Sequence, residues 1–142
     1  PSAISPAGAR GLMQLMLPTA QQMAGNIGIS TSSSKLISDP SHNMRLGMEY
    51  LEHMLNTQGG SYVRAIASYN AGPGRVRQWV SEMGDPHDPS IDIVDWIEEI
   101  PFSETQNYVQ RVLEGMQVYR MLSGVQTADL VLDPKYACIG GC

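Results

Sequence analysis

Three clusters of residues in this chain have the types and spacing to do chemistry. Ser5-Pro-Ala-Gly-Ala-Arg-Gly-Leu-Met-Gln-Leu-Met16 sets a hydroxyl, an amide and a thioether among small residues. Tyr69 and Asn70 bring a phenol and an amide to a helix end that must stop at Gly72-Pro73-Gly74. Glu104 follows Ser103 at the start of a long helical pattern. Hydroxyls and amides of this kind suit a polar ligand such as a sugar, whose hydroxyl and N-acetyl groups both donate and accept hydrogen bonds. Cleaving a glycosidic bond also needs a proton on the leaving oxygen, which a carboxylic acid usually supplies. No Asp or Glu occurs before Asp39, so the first cluster resembles the wall of a sugar-cleaving groove without its acid.

Each cluster also has a purely structural reading. Gly8 and Gly11 reach backbone conformations that a side chain would forbid and let other groups approach closely. Leu12 to Leu17 is apolar apart from Gln14, so a buried amide in need of partners is expected there. A sugar would satisfy it, and so would the local backbone of a glycine-rich turn. Asn at a helix end is common for conformational reasons alone, and Tyr69 is equally acceptable as core. Glu104 in a first helical turn complements the positive helix end, worth about 0.3–1 kcal/mol. It gains a functional role only by facing the groove. The other acids, mostly between Glu82 and Glu99, read as a solvated face.

The elements that must position these groups are helical. Pro18-Thr19 starts a short helix through Met23 that Gly25 is expected to stop, and Ser30 to Ser34 reads as a loop. Asp39-Pro40-Ser41 opens a longer helix with Met44, Met48, Leu51 and Leu55 at helical spacing, ended by Gly59-Gly60. Ser61 caps the next helix, and Val76, Trp79, Val80 and Met83 form the face of another that ends at Gly84. Asp85 to Ser90 is a turn-rich loop, and Ile91 to Ile100 favours a short helix over a strand. Ser103-Glu-Thr-Gln106 reads as a capping box before a last helix striped by Tyr108, Val109, Val112, Leu113, Met116 and Tyr119, closed by Gly124. The architecture predicted is a compact, all-α domain.

At 142 residues the chain is one domain's worth, long enough to bury roughly 68–70% of its unfolded surface. The nine Met suggest a core or groove lined partly by flexible side chains. A net charge of −5, with only Arg10, Arg75 and Arg77 approaching a basic patch, argues against a nucleic-acid partner. No stretch reaches the ~20 apolar residues of a membrane span, and no secretion signal opens the chain. Cys138 and Cys142 are too sparse for a metal site, and the three His (His42, His53 and His87) are scattered. The two Cys are compatible with a small disulfide or with free thiols.

Three motifs, Ser5 to Met16, Tyr69 to Val76, and Ile100 to Thr105 with Tyr108-Val109, come in an order that resembles the catalytic domain of the soluble lytic murein transglycosylases. The resemblance runs from Pro1 to about Gly124, with Asp39-Pro40, Asn43, Leu46-Gly47 and Tyr50-Leu51 filling the middle, and leaves 125–142 as a tail of unassigned role. It implies a goose-type-lysozyme-like fold with a substrate groove. Ser5, Gly11, Gln14 and Met16 are implied as substrate contacts, Tyr69 and Asn70 as groups orienting the acid and the sugar, and Glu104 as a supporting carboxylate. Two departures stand out: Leu17 intervenes before Pro18, and Gln106 replaces an Arg that usually follows Glu-Thr.

The sole catalytic acid implied by this resemblance is a Glu five residues before Pro1, at the end of a helix. Its role is to protonate the bond between N-acetylmuramic acid and N-acetylglucosamine, then to take the proton from the muramic 6-hydroxyl. That hydroxyl closes on the anomeric carbon and gives a 1,6-anhydro product, with no metal or organic cofactor. The residues from Pro1 onward, lacking that acid, are expected to be nearly inactive alone. The implied partner is the glycan strand of peptidoglycan and the implied place the periplasm or cell envelope; the resemblance leaves the oligomeric state open, and a monomer is expected. Two other readings stay open: a goose-type lysozyme or endolysin that delivers water instead, and a catalytically silent peptidoglycan-binding module.

Overall fold

The computed structural model describes residues 2–124 and Leu132, and among these it is all-α, with seven helices and no strand. The helices are α1 (Leu17–Asn26), α2 (Ser33–Ser38), α3 (Pro40–Thr57), α4 (Tyr62–Ala71), α5 (Pro73–Met83), α6 (Ile93–Glu98) and α7 (Ser103–Leu122). Two compact units divide the chain, Pro1–His53 and Met54–Cys142. Cys138 and Cys142, with most of the tail, lie outside the described residues.

In the first unit the Leu17 insertion is absorbed as the first residue of α1, which leaves Pro18 in the opening turn where its missing N–H costs nothing. Gly25 does not stop this helix. The Ile29 N–H bonds to the Ala24 carbonyl at 2.9 Å and the Gly28 N–H to the Gly25 carbonyl at 3.2 Å, around Gly28 at φ +68°. That paired closure needs a left-handed residue just past the helix, and Gly28 supplies it three residues later than expected. The serine run is not wholly a loop either. Ser32 accepts from the Lys35 N–H at 3.2 Å and caps α2, which buries Leu36 completely.

The stripe expected on α3 is rotated by one residue. Met44 and Met48 are 42% and 61% exposed, whereas Asn43 and Leu46 are fully buried. The cause is polar and steric together. Asn43 is drawn inward by three hydrogen bonds, and a Cβ on Gly47 would stand 2.5 Å from Met13 Cβ, so residues 43 and 47 define the packed face.

The second unit is built on Val63, Ile66, Val76, Trp79, Ile93, Trp96, Ile97, Val109 and Leu113, where α4 packs on α5 and α7, and α6 packs on α7. Ser61 caps α4 as expected, accepting from the Arg64 N–H at 3.2 Å. The 91–100 segment is the short helix α6, capped by Asp92 through the N–H groups of Val94 and Asp95. The acids between Glu82 and Glu99 are exposed as expected except Asp85, which is half-buried and pairs with Arg64 at 3.0 Å. The capping box at 103–106 does not form. The Gln106 N–H bonds to the Phe102 carbonyl at 2.9 Å, so Phe102 is the N-cap and Ser103 is already helical. The α7 stripe holds through Leu113 and Met116, but Tyr119 is 73% exposed.

Candidate functional site

The first unit carries Ser5, Gly11, Gln14 and Met16 on one tightly wound loop. Its backbone crosses itself through paired bonds between Arg10 and Leu15 at 2.9 and 3.0 Å, and Gly11 N–H reaches the Ala3 carbonyl at 2.9 Å. Ser5 uses its hydroxyl to accept from the Ala9 N–H at 3.0 Å, which closes a turn around Gly8. The loop is anchored from below by Asn43. Its carbonyl oxygen accepts from the Met13 N–H at 2.8 Å, and its amide nitrogen donates to the carbonyls of Arg10 and Leu36 at 2.9 and 3.1 Å. One buried amide therefore bonds three backbone groups and ties the loop to the end of α2.

Gln14 is not the buried amide that its apolar neighbours suggest. It is exposed and stands at φ +48°, the one non-glycine left-handed residue among those described. Its amide nitrogen donates to the Gly11 carbonyl at 2.8 Å, the local-backbone alternative, and lies 3.5 Å from the Ala3 carbonyl. A left-handed backbone costs an L-residue roughly 1–2 kcal/mol, and such strain concentrates where a side chain must be presented in one direction. Met16, 42% exposed, is the N-cap residue of α1. Exposure of both side chains at the loop's end suits contact with a ligand.

The second unit brings Asn70 and Glu104 to one place. They line an open depression of about 420 Å³ with Pro101, Phe102, Ser103 and Thr105, at the start of α7 and the end of α4. Tyr69 is half-buried and does not line it. Asn70 is held by Thr105, whose hydroxyl donates to the Asn70 carbonyl oxygen at 2.7 Å. Phe102 is 42% exposed, yet its ring is fixed from two sides. Trp79 meets it edge-on with centroids 5.4 Å apart, and the Arg75 guanidinium lies 5.2 Å from its centre. Where an Arg was expected, Gln106 reaches the Glu98 carbonyl instead and ties α7 to α6. Burial raises the phenol pKa of Tyr108 on α7 above its ordinary value.

Chemically, the depression offers an amide, a carboxylate and the exposed part of an anchored aromatic ring. That set suits hydroxyl and acetamido groups on a flat apolar ring. No group of three or more His, Cys, Asp or Glu among the described residues has the arrangement of a metal site. Three residues of these sites carried no role in the sequence reading: Asn43, Phe102 and Thr105. Asn43 and Thr105 bond to partners about thirty residues or more away, which no local period displays. An Asn set on the Leu46-Gly47 side of a helix was the available signal for the first.

A family model described as the transglycosylase SLT domain matches residues 1–90. The soluble lytic murein transglycosylase of Escherichia coli strain K12 is 40% identical over 125 residues, which cover 87% of this chain and 19% of that protein. The crystal structure of the 70 kDa soluble lytic transglycosylase of Escherichia coli superposes with a TM-score of 0.78 at 38% identity, covering 89% of this chain and 21% of that one. An inactive glutamate-to-glutamine mutant of lytic transglycosylase Slt from Pseudomonas aeruginosa gives 0.76 at 38% identity, covering 93% and 21%. The chain thus spans about a fifth of the length of the relatives it matches.

Proposed function

The chain belongs to the transglycosylase SLT domain family, and on that premise we propose that it is the peptidoglycan-cleaving domain of a lytic transglycosylase acting in the bacterial cell envelope. The observation that carries this reading is the pairing of Asn70 and Glu104 on one depression beside the fixed ring of Phe102. Sugar rings present apolar faces and equatorial hydroxyls, and an aromatic plate flanked by an amide and a carboxylate matches both. In the first unit, Gln14 and Met16 are exposed on a loop that Asn43 holds rigid, which suits them to touch the same kind of strand.

The proton donor in this reading is a glutamate that precedes Pro1 in the parent protein, consistent with the inactive glutamate-to-glutamine mutant of the Pseudomonas aeruginosa relative. That acid protonates the glycosidic oxygen as the C1–O bond breaks. The resulting carboxylate accepts the 6-hydroxyl proton while O6 bonds to C1, which returns the acid to its starting form and consumes no water. One carboxyl group serves both steps, unlike the paired acids of glycosidases that activate water. Glu104 stands in the first turn of α7, where the helix end favours a negative charge. It is suited to orienting substrate or supporting charge rather than to donating a proton. In the second unit Tyr69 and Asn70, and in the first Ser5, Gln14 and Met16, are the other proposed site residues, with Gly11 shaping the first-unit loop by leaving room for Asn43.

The test is digestion of purified sacculi by the parent protein, followed as loss of turbidity and release of soluble muropeptides. Release supports the reading. Tight binding without release points to a silent binding module and overturns it.

A further inference from the structure

We propose that Thr105 is a positioning residue whose hydroxyl sets the polarity of the Asn70 amide, so that Asn70 meets its ligand as a hydrogen-bond donor. This rests on the reading of the depression as a glycan site. Asn70 is exposed at the end of α4, and the terminal torsion of an Asn side chain is broad and roughly two-fold, so nothing intrinsic decides which end of the amide faces outward. Thr105 decides it. It is 2% exposed, on α7, which packs against α4, and its oxygen lies 2.7 Å from Asn70 Oδ1. A carbonyl oxygen can only accept, so the hydroxyl proton points at Asn70.

With Oδ1 held inward, the amide nitrogen is the end left for the depression. Its matching ligand atoms are acceptors: an acetamido carbonyl, a hydroxyl oxygen or the glycosidic oxygen. The Glu104 carboxylate on the same depression accepts. Donor and acceptor side by side recognise a sugar hydroxyl, which does both, better than an ether or a carboxylate. A β-branched residue with one hydroxyl is therefore doing what neither Val nor Ala does at position 105. It chooses which hydrogen-bonding face an exposed amide shows.

The experiment compares wild type, Thr105→Val, Thr105→Ser, Asn70→Ala and the Asn70→Ala/Thr105→Val double variant of the 142-residue chain. Chitotetraose affinity is read by calorimetry, and the mobility of the Asn70 side-chain amide by nitrogen-15 relaxation. Thr105→Val is expected to weaken binding about five- to tenfold, the size of a lost oriented hydrogen bond, and Thr105→Ser to stay within about twofold of wild type. Thr105→Val should also free the Asn70 amide on the fast timescale while leaving thermal unfolding little changed. In the Asn70→Ala background, Thr105→Val should change affinity no further.

An equal loss with and without Asn70 would make Thr105 merely a structural tie between α4 and α7, and would overturn the proposal. An Asn70 amide as ordered in Thr105→Val as in wild type would overturn it too, whether or not chitotetraose binds. If wild type ignores chitotetraose while its Asn70 amide is ordered only when a hydroxyl stands at 105, the positioning role holds and the glycan reading fails.

Discussion

Gly11 has no room for a Cβ because Asn43 fills that space: the missing atom would stand 2.3 Å from the Asn43 amide nitrogen and 2.4 Å from the Leu36 carbonyl oxygen. The contact that glycine permits here is therefore internal. Asn43 reaches the Arg10 carbonyl and the Met13 N–H only because position 11 is bare, and those two bonds fix the loop that ends in Gln14 and Met16. With φ at +76°, Gly11 meets a conformational demand as well as a steric one.

Gly11→Ala should destabilise the protein by about 2–4 kcal/mol, combining left-handed strain with displacement of a buried, hydrogen-bonded amide. Asn43→Asp should cost a comparable amount, because it takes the Asn43 amide donor away from the carbonyls of Arg10 and Leu36, leaving Arg10 only its bond from the Leu15 N–H, and sets a charge between them. Urea unfolding measures both. A change under about 0.5 kcal/mol in either would mean that this network does not hold the loop.

Ser68 makes the opposite case. Its side-chain oxygen is fully buried in α4, with no hydrogen-bond partner among the described residues. An unsatisfied buried polar group costs about 1–3 kcal/mol, so Ser68→Ala should leave stability unchanged or raise it. Calorimetric melting would show this, and a fall of several degrees would reveal a hydroxyl partner essential to the fold.

His42 should couple the first unit to pH. Its ring nitrogen lies 2.9 Å from the Thr31 hydroxyl. Burial first, then the positive charges of Lys35 and Arg45, hold its pKa below the ordinary 6.5, opposed by Asp39. A depressed folded pKa means that the unfolded chain binds the proton first. The contribution is present above pH 6.5 and is lost as pH falls through the lower folded value. Proton NMR should give a His42 midpoint below 6.5, and His42→Gln should flatten the acid side of the stability profile. A midpoint above 6.5 would reverse the sign.

Glu104→Gln should slow the parent enzyme without abolishing turnover, while replacing the proposed acid before Pro1 should cost the 10²–10⁴-fold typical of a lost general acid, on the order of 3–5 kcal/mol. Initial rates on sacculi, with folding checked by circular dichroism, separate the two. Complete loss in both would assign proton transfer to Glu104 as well.

Helix order was legible because its signals are local. Ser61, the Gly72-Pro73-Gly74 break and Gly124 each act within one turn, and the structure uses all of them. Local signals in competition were misread. Two glycines three residues apart both fit the end of α1, and only Gly28 closes the paired hydrogen bonds. Ser103 and Gln106 have the spacing of a capping box, yet the Phe102 carbonyl takes the Gln106 N–H first. The site was legible as a set of residue types but not as a geometry. That Asn70 and Glu104 share a depression, and that Thr105 orients one of them, depends on α4 packing against α7. Gln14 was misplaced because its apolar neighbours suggest burial, whereas its left-handed backbone turns the side chain outward.

The mass of the muropeptides released from sacculi by the parent protein tests the central claim most directly. Attack by the sugar's own 6-hydroxyl retains every atom of the glycan, so each new muramic end should be an anhydro sugar, lighter by one water than its hydrolysed counterpart and silent in a reducing-end assay. Reducing muramic ends that carry oxygen-18 from labelled water would show instead that water is the nucleophile, and would contradict the transglycosylase chemistry proposed for this domain.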